Sequence, residues 1–120
     1  YVQSMNETNY LQFNGDVHVE QFNFAGLGAT GGGNHGNSFG SVAEGLLAQV
    51  QHLKAYASTE SLETACVDKR FIYVKRGTAP YVEWLGQKEN PNVDENGSGY
   101  GWASGERYGF NLMALLDRLK

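Results

Sequence analysis

Residues 41–57, SVAEGLLAQVQHLKAYA, carry the strongest structural signal in this 120-residue sequence. Ser41 and Glu44 form a capping box, in which the serine hydroxyl accepts from the backbone at Glu44 and the glutamate reaches back. Apolar residues then recur at helical spacing, at Leu46, Val50, Leu53 and Ala57. The pattern predicts a helix that runs to about Ala57 and buries this apolar stripe in the core.

Shorter helical segments are predicted on both sides of this central helix. They cover residues 1–13, 68–74, 78–86 and the chain from about residue 107 onward. Asn14 and Gly15 are typical of a helix end. Residues 14–40 hold much of the glycine, and residues 31–37 predict a flexible loop or hairpin tip. The sequence therefore predicts a mainly α fold with a glycine-rich loop or small hairpin.

The composition excludes several classes of function. The net charge is −4 and the basic residues are scattered, which argues against a nucleic-acid partner. No apolar run approaches the length of a membrane span. His18, His35 and His52 are far apart and show no metal-ligand spacing, so neither a metal site nor another cofactor is predicted. Cys66 is the single cysteine, and no intrachain disulfide is possible.

Carboxylates and aromatic residues remain as candidate functional groups. Glu7 lies at the end of a predicted helix and precedes the aromatic-rich residues 10–13. Aromatic walls would desolvate such a carboxyl, raise its pKa and suit it to donate a proton to a leaving-group oxygen. The same residues are also typical of an ordinary glutamate on a helix surface.

Four stretches resemble bacterial endo-β-N-acetylglucosaminidases, which have a lysozyme-like α+β fold and hydrolyse peptidoglycan. They are NETNYLQF at residues 6–13, QFNFAGLG at 21–28, AQVQHLKAY at 48–56 and WASGERYG at 102–109. The similarity covers nearly the whole chain. It implies that residues 1–120 are a glucosaminidase catalytic domain, with the glycine-rich loop beside its cleft, cut from a larger protein that supplies the first helix or two.

The resemblance also assigns roles to individual residues. Glu7 takes the position of the catalytic glutamate, and Tyr108 takes that of a tyrosine near the reacting sugar. Trp102 stands where the family has a first tyrosine, so the catalytic tyrosine is Tyr108. The expected substrate-binding residues are Tyr10, Asp16, Asn23, Phe24, Gly26, Tyr100 and Trp102.

One departure from the family concerns the second catalytic group. Many members carry another glutamate in the hairpin that follows the first motif, but residues 31–39 contain no carboxylate. We therefore expect substrate assistance, in which the 2-acetamido oxygen attacks the anomeric carbon while Glu7 acts first as acid and then as base. Asp16 as a more distant base is the alternative mechanism.

The expected activity is hydrolysis of the β-1,4 bond between N-acetylglucosamine and N-acetylmuramic acid. The alternatives are a lytic transglycosylase and a non-catalytic module that binds cell-wall glycan. The resemblance implies peptidoglycan strands as the partner, a monomer, and a secreted or cell-wall-associated location.

Overall fold

The computed structural model describes residues 1–30 and 32–120, and that part of the chain is mainly helical with almost no strand. Its three α-helices are α1 (Val2–Glu7), α2 (Val42–Ala57) and α3 (Tyr108–Leu119). Short 3-10 helices cover Val19–Gln21, Phe71–Tyr73 and Val82–Leu85. The mainly α class predicted from the sequence is confirmed. Gly31, which belongs to the predicted glycine-rich loop, lies outside the described residues.

The chain divides into two compact units. The first comprises Tyr1–Leu53 and Leu62–Tyr73, and the second comprises Lys54–Ser61 and Val74–Lys120.

Polar side chains join α1 to α2 in the first unit. The Ser4 hydroxyl donates to Gln49 Oε1 at 3.1 Å, and Gln49 Nε2 donates to Gln3 Oε1 at 2.9 Å. All three residues are buried, so these bonds satisfy groups that would otherwise be costly to remove from water.

The predicted bounds of α2 agree with the structure, and the Glu44 amide donates to Ser41 Oγ at 3.1 Å as the capping box requires. The predicted burial of its apolar stripe is wrong. Leu46 is exposed and Val50 is 60% exposed, whereas Ala48 and Ala55 are buried. The buried face of the helix also carries the polar residues Gln49, Gln51 and His52.

The stripe instead lines an open apolar groove of about 450 Å³ on the first unit. The residues around this groove are Tyr1, Ser4, Met5, Leu11, Phe24, Val42, Leu46, Gln49, Val50 and Leu53. Helical spacing predicted one apolar face correctly, but it carried no information on what covers that face.

Two other predicted helices are shorter than expected. In place of a helix over residues 68–74 there is only the 3-10 turn Phe71–Tyr73, and residues 78–86 form only the 3-10 helix Val82–Leu85. Thr78 does not cap a helix, because its hydroxyl donates backwards to the Lys75 carbonyl at 2.8 Å. Gly86 ends the second segment, as predicted.

In the second unit, α3 packs on the 3-10 helix Val82–Leu85. Gly109 permits the close approach, since a Cβ there would lie 2.1 Å from the Val82 carbonyl oxygen. Leu112 is buried, whereas Leu116 and Leu119 are exposed, so only the first half of the helix contributes leucine side chains to the core.

Within the described residues, no helix combines the length and the apolar character needed to cross a membrane.

Candidate functional site

The first candidate group is Glu7, the last residue of α1. The predicted helix over residues 1–13 therefore ends six residues early. Thr8 explains the stop, since its buried hydroxyl donates to the Ser4 carbonyl at 2.6 Å and accepts from the Leu11 amide at 2.9 Å. These bonds tie the chain back on itself directly after Glu7 and hold that residue at the end of the helix.

The segment after Thr8 has an unusual backbone. Asn9, Tyr10 and Leu11 have φ values of 50°, 58° and 66°, and Phe13 has a φ of 52°. Left-handed residues other than glycine cost about 1 kcal/mol or more each, and they cluster at functional sites. The turn is closed by the Phe13 amide, which donates to the Thr8 carbonyl at 3.0 Å.

Residues 22–30 and 32–39, here called the Asn23 loop, contact this turn through the rings of Phe24 and Phe13. Asn23 is 1% exposed. Its Nδ2 donates to the carbonyls of Leu27 at 2.9 Å and Asn37 at 3.0 Å, and its Oδ1 accepts from the Leu27 amide at 3.0 Å. The Asn23 side chain thus holds the loop together. Asn23 was predicted to bind sugar, and its side-chain amide forms hydrogen bonds with backbone groups of the loop.

Gln21 fastens the Asn23 loop to the 3-10 helix before it. Its Nε2 donates to the His35 carbonyl at 2.8 Å, and its Oε1 accepts from the His18 amide at 2.7 Å. The Phe39 amide also donates to the Gln21 carbonyl at 2.8 Å. The glycine-rich part of the sequence is therefore anchored at several described positions.

Glu7 and the Asn23 loop meet at Gly26. Gly26 has a φ of 68°, and a Cβ added there would lie 3.4 Å from Glu7 Oε2. The carboxylate therefore lies directly against the loop, where the left-handed backbone favours glycine and an added Cβ would touch the carboxylate at an ordinary contact distance.

A polar cavity of about 220 Å³ opens at this contact. Its lining residues are Glu7, Thr8, Phe13, Gly15, Asp16, Val17, Asn23, Gly26 and Ala29. The cavity brings together four of the predicted site residues, namely Glu7, Asp16, Asn23 and Gly26. Both of its ionisable groups are carboxyls.

Asp16 is fixed to the glycine-rich segment through both its main chain and its side chain. Its Oδ2 accepts from the Gly33 amide at 3.3 Å, and its carbonyl accepts from His35 Nδ1. The His35 ring packs edge-on against His18 with centroids 4.4 Å apart. This arrangement holds a second carboxylate in the lining of the Glu7 cavity.

Two predicted aromatic contacts lie elsewhere in the first unit. Phe24 lines the apolar groove and meets the ring of Phe13 edge-on at 6.1 Å, so it supports a cavity residue without lining the cavity. Tyr10 projects from the left-handed turn and is exposed. Phe13 and Thr8 were not predicted as site residues. Their positions in the motif of residues 6–13, which contains Glu7, were the sequence signal that could have identified them.

Tyr100, Trp102 and Tyr108 belong to the second unit. The Trp102 amide donates to the Leu85 carbonyl at 2.7 Å, and its ring lies 6.3 Å from that of Tyr56. Tyr100 and Trp102 are half-buried. Tyr108 is the first residue of α3 and is 7% exposed.

The residues before Tyr108 form a second ordered segment, residues 86–103, here called the Asn90 loop. Asn90 is buried, and its Nδ2 donates to the carbonyls of Thr78 at 3.0 Å and Trp84 at 3.1 Å. A cavity of about 380 Å³ adjoins this loop. It is lined by Gln87, Lys88, Asn90, Val93, Gly97, Ser98, Gly99 and Ser104.

The described residues contain no cluster of three or more His, Cys, Asp or Glu side chains that could hold a metal ion.

Comparison with known proteins finds a bacterial relative of this chain. An uncharacterized protein of Borreliella burgdorferi is 50% identical over 119 residues, which are 99% of this chain and 52% of that protein. The chain thus spans about half the length of the curated relative that it matches. No protein-family model matches the chain, and no solved structure matches it.

Proposed function

We propose that this chain is a peptidoglycan-hydrolysing domain with a lysozyme-like fold, an endo-β-N-acetylglucosaminidase in which Glu7 is the general acid. The observation that carries the proposal is the Glu7 carboxylate at the end of α1, against Gly26 and in one cavity with Asp16. The resemblance of its motifs to those of glucosaminidases supports the proposed substrate, the β-1,4 bond between N-acetylglucosamine and N-acetylmuramic acid.

The chemistry follows from the properties of a positioned carboxyl group. A protonated Glu7 donates its proton to the glycosidic oxygen as the bond to the anomeric carbon breaks. The left-handed turn and the Asn23 loop fix the walls around Glu7, and fixed geometry lowers the cost of reaching the transition state.

The second step uses the substrate. The 2-acetamido oxygen attacks the anomeric carbon to form a cyclic oxazolinium ion. Glu7, now a carboxylate, then accepts a proton from the water that opens this ring, which restores the acetamide and the protonated acid. Asp16, in the lining of the same cavity, would accept a hydrogen bond from the acetamide N–H and orient it.

A single inverting displacement with Asp16 as the base is the competing mechanism, and it is supported by the same cavity lining. Proton NMR of freshly released product distinguishes the two, because substrate assistance retains the anomeric configuration and direct displacement inverts it. Asp16→Asn should lower kcat by roughly 10² under substrate assistance and leave retention unchanged. Inverted product would overturn the substrate-assisted mechanism.

Tyr108 enters the proposal through the resemblance. The resemblance gives its hydroxyl the role of the family's catalytic tyrosine hydroxyl. Tyr108→Phe removes only this hydroxyl and should reduce kcat more than KM.

Release of new reducing ends from purified peptidoglycan tests the proposed activity. Glu7→Gln keeps the size of the side chain but removes its proton, so the rate should fall by roughly 10² to 10⁴. Glu63→Gln is the matched control, since Glu63 is an exposed glutamate of the same unit. Equal activity of Glu7→Gln and wild type would contradict the proposal. Glycan binding with no release of reducing ends by the wild type would favour a non-catalytic module.

A further inference from the structure

Helix α3 begins without a capping side chain of its own. Its N-cap residue is Arg107, which has a left-handed φ of 57° and makes no side-chain cap hydrogen bond. The first amides of a helix have no partner within the helix, and the positive end of the helix dipole favours a carboxylate. The Arg107 amide donates to Glu89 Oε2 at 3.1 Å. A residue 18 positions earlier in the chain therefore caps this end of the helix.

The Glu89 carboxylate is held tightly in this position. Its Oε1 is buried and has no hydrogen-bond partner among the described residues. A Cβ added at Gly86 would lie 2.4 Å from that oxygen and 3.4 Å from Tyr108 Cβ. Gly86 thus leaves the space in which the carboxylate and Tyr108 approach each other. The turn is closed by the Glu89 amide, which donates to the Gly86 carbonyl at 3.1 Å.

A buried carboxylate oxygen without a partner is costly, so a simple surface cap does not account for this arrangement. The bond to Arg107 and the close contact at Gly86 both act at the residue where α3 starts.

We propose that Glu89 is a positioning residue for Tyr108. Its carboxylate sets the start of α3 and so fixes the direction in which the Tyr108 side chain leaves the helix. This inference rests on the proposed function, because that proposal supplies the role of Tyr108.

The test compares Glu89→Ala, Glu89→Gln and the control Glu106→Gln in the full chain. Glu106 is an exposed glutamate near the same helix end, where it pairs with Lys88 at 3.7 Å. On a soluble β-1,4-linked N-acetylglucosamine–N-acetylmuramic acid tetrasaccharide, Glu89→Ala should lower kcat roughly five- to tenfold, because a misplaced functional group slows the reaction. Glu89→Gln keeps an acceptor oxygen and should recover part of this loss, while KM and the control stay unchanged.

A double-mutant cycle separates positioning from a general structural effect. In a Tyr108→Phe background, the effect of Glu89→Ala on kcat should shrink to less than about twofold, because the hydroxyl that it positions is already gone. An equal effect in both backgrounds would overturn the proposal.

Two measurements need no activity. Amide exchange at Arg107 should accelerate in Glu89→Ala, and the Tyr108 ring resonances, identified by their loss in Tyr108→Phe, should shift. If wild type releases no reducing ends, the proposed function fails while these measurements still decide whether Glu89 holds Tyr108. Unchanged exchange and unchanged ring resonances would overturn the positioning role.

Discussion

The Asn23 loop and the Asn90 loop are stabilised by the same kind of hydrogen bonding but border different cavities. In each, a buried asparagine donates to two backbone carbonyls, those of Leu27 and Asn37 in the first and those of Thr78 and Trp84 in the second. The cavity at the Asn23 loop is lined by two carboxylates, whereas the residues described around the other include a lysine and no carboxylate. A buried asparagine is thus a scaffold for the surrounding loop in both units, and the proposed acid chemistry belongs to the unit that contains Glu7.

The largest effect on stability is expected from removing the two asparagines. Asn23→Ala leaves two carbonyls and two amides without their partner, and the free energy of unfolding should fall by about 3 kcal/mol. Asn90→Ala should cost about 2 kcal/mol for the same reason. Urea denaturation measures both losses. A loss below about 1 kcal/mol for Asn23→Ala would mean that its hydrogen bonds do not hold the loop.

Alanine substitutions at two glycines distinguish the effect of backbone strain from an effect on the chemistry at Glu7. Gly26 and Gly97 have φ values of 68° and 82°, but only Gly26 has the Glu7 carboxylate beside it, and a Cβ at Gly97 would meet no atom within 4 Å. Alanine at either position should lower the free energy of unfolding by about 1 kcal/mol. Gly26→Ala should also reduce the release of reducing ends about tenfold, because its methyl group would touch the Glu7 carboxylate and occupy part of the cavity that both residues line.

Gly97→Ala is the matched control for that experiment and should keep wild-type activity. Equal activities of the two variants, measured well below their unfolding transitions, would show that Gly26 serves the backbone alone.

The smallest effect is expected from two turn residues in the same loops whose hydrogen bonds are exposed to water. Asn34 accepts from the Gly36 amide at 3.0 Å, and Asp94 accepts from the Asn96 amide at 2.8 Å. Because water can replace these bonds, Asn34→Ala and Asp94→Ala should each cost less than about 1 kcal/mol in thermal unfolding. A cost equal to that of Asn23→Ala would remove the distinction between buried and exposed asparagine-type turns.

Local sequence signals predicted the parts of the fold that local interactions decide. The capping serine and the helical spacing gave α2 its bounds, since both depend on residues within a few positions of each other. Whether Val50 is buried depends on which segment covers the helix, and helical spacing carries no such information. In the structure Val50 is exposed.

The sequence predicted which residues line the site better than it predicted what each of them does there. Glu7, Asp16 and Gly26 came from the motifs and meet in one cavity. The left-handed Tyr10 and Leu11 have no sequence signal, because neither is glycine or asparagine and the turn depends on Thr8. For the same reason the helix prediction continued past Glu7.

The chemical identity of the new chain end tests the central claim most directly. Purified peptidoglycan is digested, the products are reduced with borohydride, and the end sugars are identified by mass spectrometry. Wild type should yield N-acetylglucosaminitol ends that are absent with Glu7→Gln. Muramic acid ends in their reduced form, 1,6-anhydromuramic ends, or an unchanged yield from Glu7→Gln would each contradict a glucosaminidase that uses Glu7 as its acid.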